Sequence, residues 1–312
     1  MNYTYGPVPS RRLGLSLGID IVPLKTCSLS CIYCQVGKTP VTTIERREYI
    51  PTGKILNEVK ERIENGLKTD WLTFSGSGEP TLHSGIGELI KGIKAFTNIP
   101  ICVITNGTLF WDPQVRSDII EADAVMPSLD STQEHTFRLI CNPHPELYIE
   151  KIIEGLVQFR KEFSGKIWLE IMLLKGINDS SKELERLREA VERIRPDSIQ
   201  LNTVVRPPAV KSAQPVSIEQ LLEIRDFFGD KAEIIASFES DYTDKSNCGI
   251  EDVYEYLKRR PGSLEDICAA LGIEKHEAER MVERLEKDGK IILKEFYGKR
   301  FWEHIDKSKK YQ

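Results

Sequence analysis

The chain has 312 residues, 40% hydrophobic and 29% charged, which is enough apolar material for one large domain and a smaller one. A net charge of −5 gives no general attraction to nucleic acid, and no stretch approaches the ~18 apolar residues of a membrane span. The opening Met1-Asn2-Tyr3-Thr4-Tyr5-Gly6-Pro7 has neither the basic nor the apolar region of a signal peptide. Seven cysteines, an odd number with three clustered, predict a cytoplasmic chain in a reducing compartment and not a disulfide framework.

The first predicted strand has Leu13, Leu15, Leu17, Ile19 and Ile21 on one face and Gly14, Ser16, Gly18 and Asp20 on the other. Small side chains on that second face leave room beside them. Directly after it comes Cys27-Ser28-Leu29-Ser30-Cys31-Ile32-Tyr33-Cys34. This C-x3-C-x2-C spacing gathers three thiolates on one loop and supplies no fourth. Closed structural sites usually take four protein ligands, whereas a reactive centre keeps one position free. The loop therefore reads as a cradle for a [4Fe-4S] cluster with one iron offered to a small molecule, against a zinc knuckle or three neighbouring reduced thiols. Zinc would need a second Cys or His pair, and none is obvious. Cys102 and Cys268 sit in apolar runs and read as small buried hydrophobes. Cys141 and Cys248 fall in predicted loops with no partner at ligand spacing.

An amphipathic helix follows, with Ile55, Val59, Ile63 and Leu67 at i+4 spacing after Thr52. Short apolar strands are predicted at residues 71–76, 100–105, 124–130, 167–174 and 198–205, alternating with helices near 86–96, 113–122, 146–163, 182–194 and 218–228. Six β-α units joined by right-handed crossovers make a doubly wound sheet or an open barrel. Functional groups should then gather at the strand carboxyl ends. There Ser75-Gly76-Ser77-Gly78-Glu79-Pro80 brings a carboxylate to the same rim as the cysteines, and its two glycines let a ligand approach the backbone. Asn106, Ser128 and Asp130 occupy the following rim positions, and Glu170, Met172, Asn202 and Arg206 on the later strands are candidate substrate contacts.

After Ser246 the character changes. A helix opens at Val253-Tyr254-Glu255-Tyr256-Leu257 and ends before Pro261-Gly262, and Ser263 caps a second that Gly272 stops. A third runs over 275–288, and 291–302 forms a hairpin turning at Gly298. This order resembles a winged helix-turn-helix domain with its own core of Ile267, Leu271, Met281, Val282 and Leu285. Residues 1–245 and 246–312 are thus predicted as two domains. Its candidate recognition helix, residues 274–289, carries six acidic and four basic residues, a net of −2, whereas a helix entering a polyanionic groove should be basic. Docking or substrate presentation is therefore favoured over DNA reading. Lys299, Arg300, Lys307, Lys309 and Lys310 are the best support for the rival class, a cluster-based redox-sensing transcription regulator.

Residues 13–240 resemble the radical S-adenosylmethionine (radical SAM) enzymes. Their signature is C-x3-C-x-aromatic-C after the first barrel strand, with Tyr33 in the aromatic slot here, and Ser77-Gly78-Glu79-Pro80 matches their Gly-Gly-Glu-Pro with the first glycine replaced. The resemblance implies an α/β fold, a partial (β/α)6 barrel, carrying the small winged-helix domain at its carboxyl end. It implies a [4Fe-4S] cluster on Cys27, Cys31 and Cys34, and S-adenosylmethionine cleaved reductively to a 5′-deoxyadenosyl radical that abstracts hydrogen from an unidentified substrate. Ser77 and Glu79, flanking Gly78, would hold the methionine ammonium, Tyr33 would lie near the adenine, and Asn106, Ser128 and Asp130 would reach ribose or carboxylate. An electron donor such as ferredoxin or flavodoxin is implied as a partner. The runs Gly6 to Gly14 and Gly18 to Lys25 are similar to a branch of uncharacterised iron-sulfur oxidoreductases near the wyosine-forming tRNA enzymes. The wyosine-forming members resemble one another in having extra cysteines upstream of the signature, and here none precedes Cys27, so tRNA base modification is the second reading.

Overall fold

The computed structural model describes residues 3–10, 12–235 and 248–305. Arg11 and the basic residues Lys307, Lys309 and Lys310 lie outside the described residues. Eight strands form one sheet in simple chain order: β1 (Thr4–Ser10), β2 (Gly14–Ile19), β3 (Trp71–Phe74), β4 (Ile101–Thr105), β5 (Ala124–Pro127), β6 (Lys166–Leu173), β7 (Ser198–Thr203) and β8 (Ala232–Ile234). β1 runs antiparallel to β2 and every later pairing is parallel. The crossovers carry helices α1 (Thr52–Glu64), α2 (Ile86–Lys94), α3 (Pro113–Asp118), α4 (Glu134–Cys141), α5 (Ile149–Glu162), α6 (Ser181–Ile194) and α7 (Ile218–Phe228). The α/β architecture expected from the alternating pattern is therefore present. Its helices bury apolar stripes such as Ile55 and Val59 of α1 or Leu184, Leu187 and Ile194 of α6 against the outer face of the sheet. No helix among the described residues is long and apolar enough to cross a membrane.

Three elements depart from the sequence expectation. β1 was not predicted, because Gly6, Pro7 and Pro9 break its alternation; an edge strand tolerates proline, and the pairing register slips between Tyr5 and Val8. β8 is three residues long and too short for a pattern. α4 occupies a stretch read as loop: its buried face of Phe137, Ile140 and Cys141 spans only two turns, so the 3.6-residue period has little length in which to show.

The carboxyl-terminal elements are α8 (Ile250–Arg259), α9 (Leu264–Leu271), α10 (Lys275–Lys287), β9 (Ile291–Phe296) and β10 (Lys299–His304), the last two antiparallel. Ser263 and Asp266 form a reciprocal capping box at the start of α9, and Gly272 ends it in the left-handed region at φ 62°. Tyr297 and Gly298 turn the hairpin with φ of 47° and 73°, the two positive values of a type I′ turn. Val253, Leu257, Ile267, Val282, Leu285 and Trp302 form a separate core. Cys268 is half-buried at its edge.

This unit is held against the sheet. α9 packs along β1, and Val8 joins the small core. The decisive polar contact is between Arg206, just past β7, and Asp266: two hydrogen bonds of 2.7 and 3.3 Å between side chains only 5% and 9% exposed. Arg206, a candidate substrate contact by sequence, thus belongs to the inter-unit contact. Removing one partner strands a buried charge, so Arg206→Ala should cost about 3 kcal/mol and loosen α8 to α10 from the sheet first. Denaturant unfolding together with limited proteolysis between residues 235 and 250 checks this; unaltered stability and cleavage would refute it.

Candidate cofactor site at the strand carboxyl ends

The cysteine loop leaves the carboxyl end of β2 and is backed by the end of α4. Ser30 N–H donates to the Cys141 carbonyl at 2.9 Å and Ile32 N–H to the Ile140 carbonyl at 2.9 Å, and Leu29 bridges Pro143 in antiparallel fashion. That register sets Cys31 opposite Cys141, whose thiol lies against both Cys31 and Asp130. Cys141 was assigned to a loop with no partner at ligand spacing; it instead ends α4, buried, beside the cysteine loop. Donors reach the loop sulfurs from outside: Asn106 Nδ2 lies 3.6 Å from Cys27 Sγ, and Lys25 Nζ 3.3 Å from Cys34 Sγ. Burial pushes the Cys27 thiol far up, and Glu79, Cys31 and Cys34 push it further. Three thiols and a carboxylate are therefore crowded together, and thiolates so placed need cationic charge to coexist. Among the described residues, no set of three or more Cys, His, Asp or Glu side chains is arranged around a single metal ion.

The loop after β3 fits against the cysteine loop from the other side. Glu79 is 2% exposed. Its Oε1 accepts from Thr81 N (3.0 Å), Thr81 Oγ1 (2.6 Å) and Thr105 Oγ1 (2.6 Å), and its Oε2 accepts from Asn106 N (2.7 Å). Burial raises its pKa and these hydrogen bonds oppose the rise. Glu79 thus stitches the turn after β3 to the end of β4, while Asn106 donates onward to Ser28 Oγ at 2.9 Å. The glycines also have an internal reason. A Cβ on Gly78 would lie 2.0 Å from the Thr26 carbonyl, and one on Gly76 would lie 2.5 Å from the Asp20 carboxyl carbon. The chain itself makes the close approach that the sequence suggested for a ligand.

Asp20 accepts from Ser77 N at 3.1 Å and from the Ser77 hydroxyl. Lys25, in the left-handed region at φ 63°, donates its backbone N–H to the Ser77 carbonyl at 2.8 Å. Left-handed backbone is costly for a residue with a side chain, and this residue holds the cysteine loop and the Ser77 loop at once. Neither Asp20 nor Lys25 was singled out by sequence. The small-residue face that includes Asp20 was the available signal.

Tyr33, Asn106, Ser128, Asp130 and Cys141 line one cavity beside the cysteine loop, closed by Phe137 and Ile152. Asp130 Oδ2 accepts from the Tyr33 hydroxyl at 2.6 Å and Oδ1 from Met172 N at 2.9 Å. Burial lifts the Asp130 carboxyl to about 6 against those hydrogen bonds. The ring of Tyr33 is thereby pinned in one orientation. Further along the sheet, Glu170 pairs with Arg12, which also donates to Gln200 Oε1 at 2.9 Å, and Asn202 Nδ2 reaches Glu170 at 3.5 Å. Two of the candidate substrate contacts, Glu170 and Asn202, therefore share one polar cluster; Met172 is buried next to Asp130.

The model of the Radical SAM superfamily matches residues 21–189, which carry both loops and the cavity. The chain belongs to this superfamily. A UPF0026 protein of Methanocaldococcus jannaschii is 36% identical over 97% of this chain and 96% of its own. A Brachyspira hyodysenteriae protein named GTPase Obg is 38% identical over 92% of this chain, which spans only 43% of that longer protein. Among solved structures, a radical SAM methyltransferase from Sphaerobacter thermophilus superposes with a TM-score of 0.56 at 17% identity, over 73% of this chain and 68% of that one, a likeness of fold. This radical SAM protein is an enzyme, and membership implies an iron-sulfur cluster, S-adenosylmethionine and a reductant.

Proposed function

We propose that Cys27, Cys31 and Cys34 hold three irons of a [4Fe-4S] cluster and that S-adenosylmethionine binds between the cavity lined by Tyr33, Asn106, Ser128 and Asp130 and the loop of Ser77, Gly78 and Glu79. The observation that carries this reading is the crowding of three thiols on one loop with Asn106 and Lys25 aimed at two of their sulfurs. When bound and reduced, cluster and S-adenosylmethionine supply a 5′-deoxyadenosyl radical for hydrogen abstraction from substrate.

The chain's own residues have distinct parts in this scheme. Lys25 and Asn106 offset thiolate charge at Cys34 and Cys27, as donors around metal-bound sulfur commonly do. Asp130 fixes the Tyr33 ring through its hydroxyl, giving a flat apolar wall for a purine. Glu79 takes four donors, three of them on Oε1, which set the positions of Asn106 and the turn, while Oε2, with one donor, keeps an acceptor site for the methionine ammonium. Ser77, on the same loop and held by Asp20, would share that role. Phe137, Ile149 and Ile152 keep water from the inner cavity wall. The polar cluster of Arg12, Glu170, Gln200 and Asn202 offers substrate a charged, hydrogen-bonding surface within the sheet.

The carboxyl-terminal unit fits a docked role better than DNA reading, because α9 is committed to β1 and Asp266 to Arg206. The test of the reaction is anaerobic reconstitution, addition of S-adenosylmethionine and a low-potential reductant, and measurement of 5′-deoxyadenosine. Slow release without substrate is expected; none from cluster-loaded protein would overturn the proposal.

Lys25 gives a separate prediction. An ammonium beside a ligating sulfur favours the reduced, more negative cluster. Lys25→Met should therefore retain the cluster and lower its one-electron midpoint potential by about 60 mV, which corresponds to a tenfold change in equilibrium constant. A redox titration followed by electron paramagnetic resonance reads this directly, and an unshifted potential would reject the role.

A further inference from the structure

The carboxyl-terminal unit delivers an arginine to the Asp20 carboxylate that holds the loop after β3. Arg259, the last residue of α8, places its guanidinium carbon 4.8 Å from the centroid of the Tyr5 ring, and its Nε 4.0 Å from Asp20 Oδ2. The two charged side chains are 15% and 11% exposed, and Arg259 Nε is buried with no hydrogen-bond partner among the described residues. Both targets hold the loop after β3. Tyr5 and Ser75 share a hydroxyl hydrogen bond of 2.8 Å, and Asp20 takes both the backbone N–H and the hydroxyl of Ser77.

Neither target has another place to go. The Tyr5 ring fills the space over Gly18, where a Cβ would lie 2.1 Å from it, and the Asp20 carboxylate fills the space over Gly76. A carboxylate so enclosed is costly to keep charged unless a cation faces it. Burial raises the Asp20 pKa, while the Ser77 bonds and then Arg259 lower it. A charged Asp20 accepts both Ser77 donors; a protonated one would spend an oxygen on its own proton. The unit is meanwhile anchored to the segment that follows β7 by Arg206 with Asp266, and by Tyr297 with Gln214. Those two anchors hold α8 where Arg259 can reach the loop.

We infer that Arg259 is a positioning residue for S-adenosylmethionine, acting from the carboxyl-terminal unit through Asp20 and Tyr5 to hold Ser75 to Ser77 in the binding conformation. The inference rests on the assignment of that loop to the cofactor. It also implies that the carboxyl-terminal unit is part of the cofactor machinery, and not an appendage whose loss would leave cofactor binding intact.

The test uses the full, cluster-loaded chain without reductant and measures S-adenosylmethionine binding by equilibrium dialysis. Arg259→Met and Asp20→Asn should each weaken binding about tenfold, the size of one charged hydrogen bond, with iron content unchanged. The double variant should bind no more weakly than the worse single one, since both act along one chain of contacts, and Arg259→Lys should recover part of the loss. Wild-type affinity in Arg259→Met, with weakened binding in Ser77→Ala, overturns the inference and leaves the cofactor assignment standing. Fully additive losses overturn it as well. Wild-type affinity in both Arg259→Met and Ser77→Ala overturns the loop assignment itself. Should Arg259→Met fail to load iron, Asp20→Asn decides: unaltered affinity there overturns the inference.

Discussion

Replacing Cys27, Cys31 and Cys34 together by Ala should abolish cluster binding. Anaerobically reconstituted wild-type protein should carry about four irons per chain, and the variant essentially none; iron and sulfide analysis makes the comparison. The expectation follows from the loop itself. Burial, Glu79 and the two neighbouring thiols raise the cost of ionising Cys27, which is tolerable only when metal cations compensate the thiolate, and the donors from Asn106 and Lys25 are already in place at two sulfurs. Release of 5′-deoxyadenosine should vanish with the iron. Cys141→Ser serves as the control, because that thiol lies beside Cys31 yet on α4, outside the loop; it should keep the full iron content. Wild-type protein that holds zinc tightly and takes up no iron would sink the reading.

Glu79→Ala should have the second-largest effect, and it should be twofold in kind. The side chain accepts four hydrogen bonds at 2% exposure. Truncation orphans the Thr81 and Asn106 amides, and each unsatisfied buried donor costs about 1 to 3 kcal/mol. The hydroxyls of Thr81 and Thr105 can turn elsewhere. A stability loss of about 4 kcal/mol is therefore expected by denaturant unfolding. Because Asn106 also contacts Cys27 and Ser28, S-adenosylmethionine binding should weaken at least about tenfold, as for loss of a charged hydrogen bond. Glu79→Gln keeps the shape and one acceptor oxygen, so it should fall between the two. A Glu79→Ala protein of wild-type stability with weakened cofactor binding would instead mean that the carboxylate acts only by meeting the ligand directly.

Much of the architecture was legible because its signals are local. The period-two run from Leu13 to Ile21, the i+4 apolar series of α1, the Ser263 cap and the Gly272 stop each lie within a few residues, and backbone geometry translates them directly into β2, α1 and α9. The elements that escaped were those whose pattern was short or broken: β1 with its two prolines, β8 with three residues, and α4 with two turns. Packing, and not local preference, holds these in place.

For the site, the sequence by itself determined the three clustered thiols, the aromatic residue among them and the carboxylate of the second loop, since each is a matter of spacing along a single segment. What only the tertiary structure decided is how those groups are used. Glu79 takes four hydrogen bonds from its own neighbours, Asp130 serves Tyr33 across 97 residues, Asp20 meets Ser77 across 57, and Arg206 meets Asp266 across 60. A buried polar group must find a partner wherever the chain returns to it. That partner is set by the order in which parallel strands lie side by side, and by how a second unit comes to rest against the first strand, neither of which any local pattern of residues encodes.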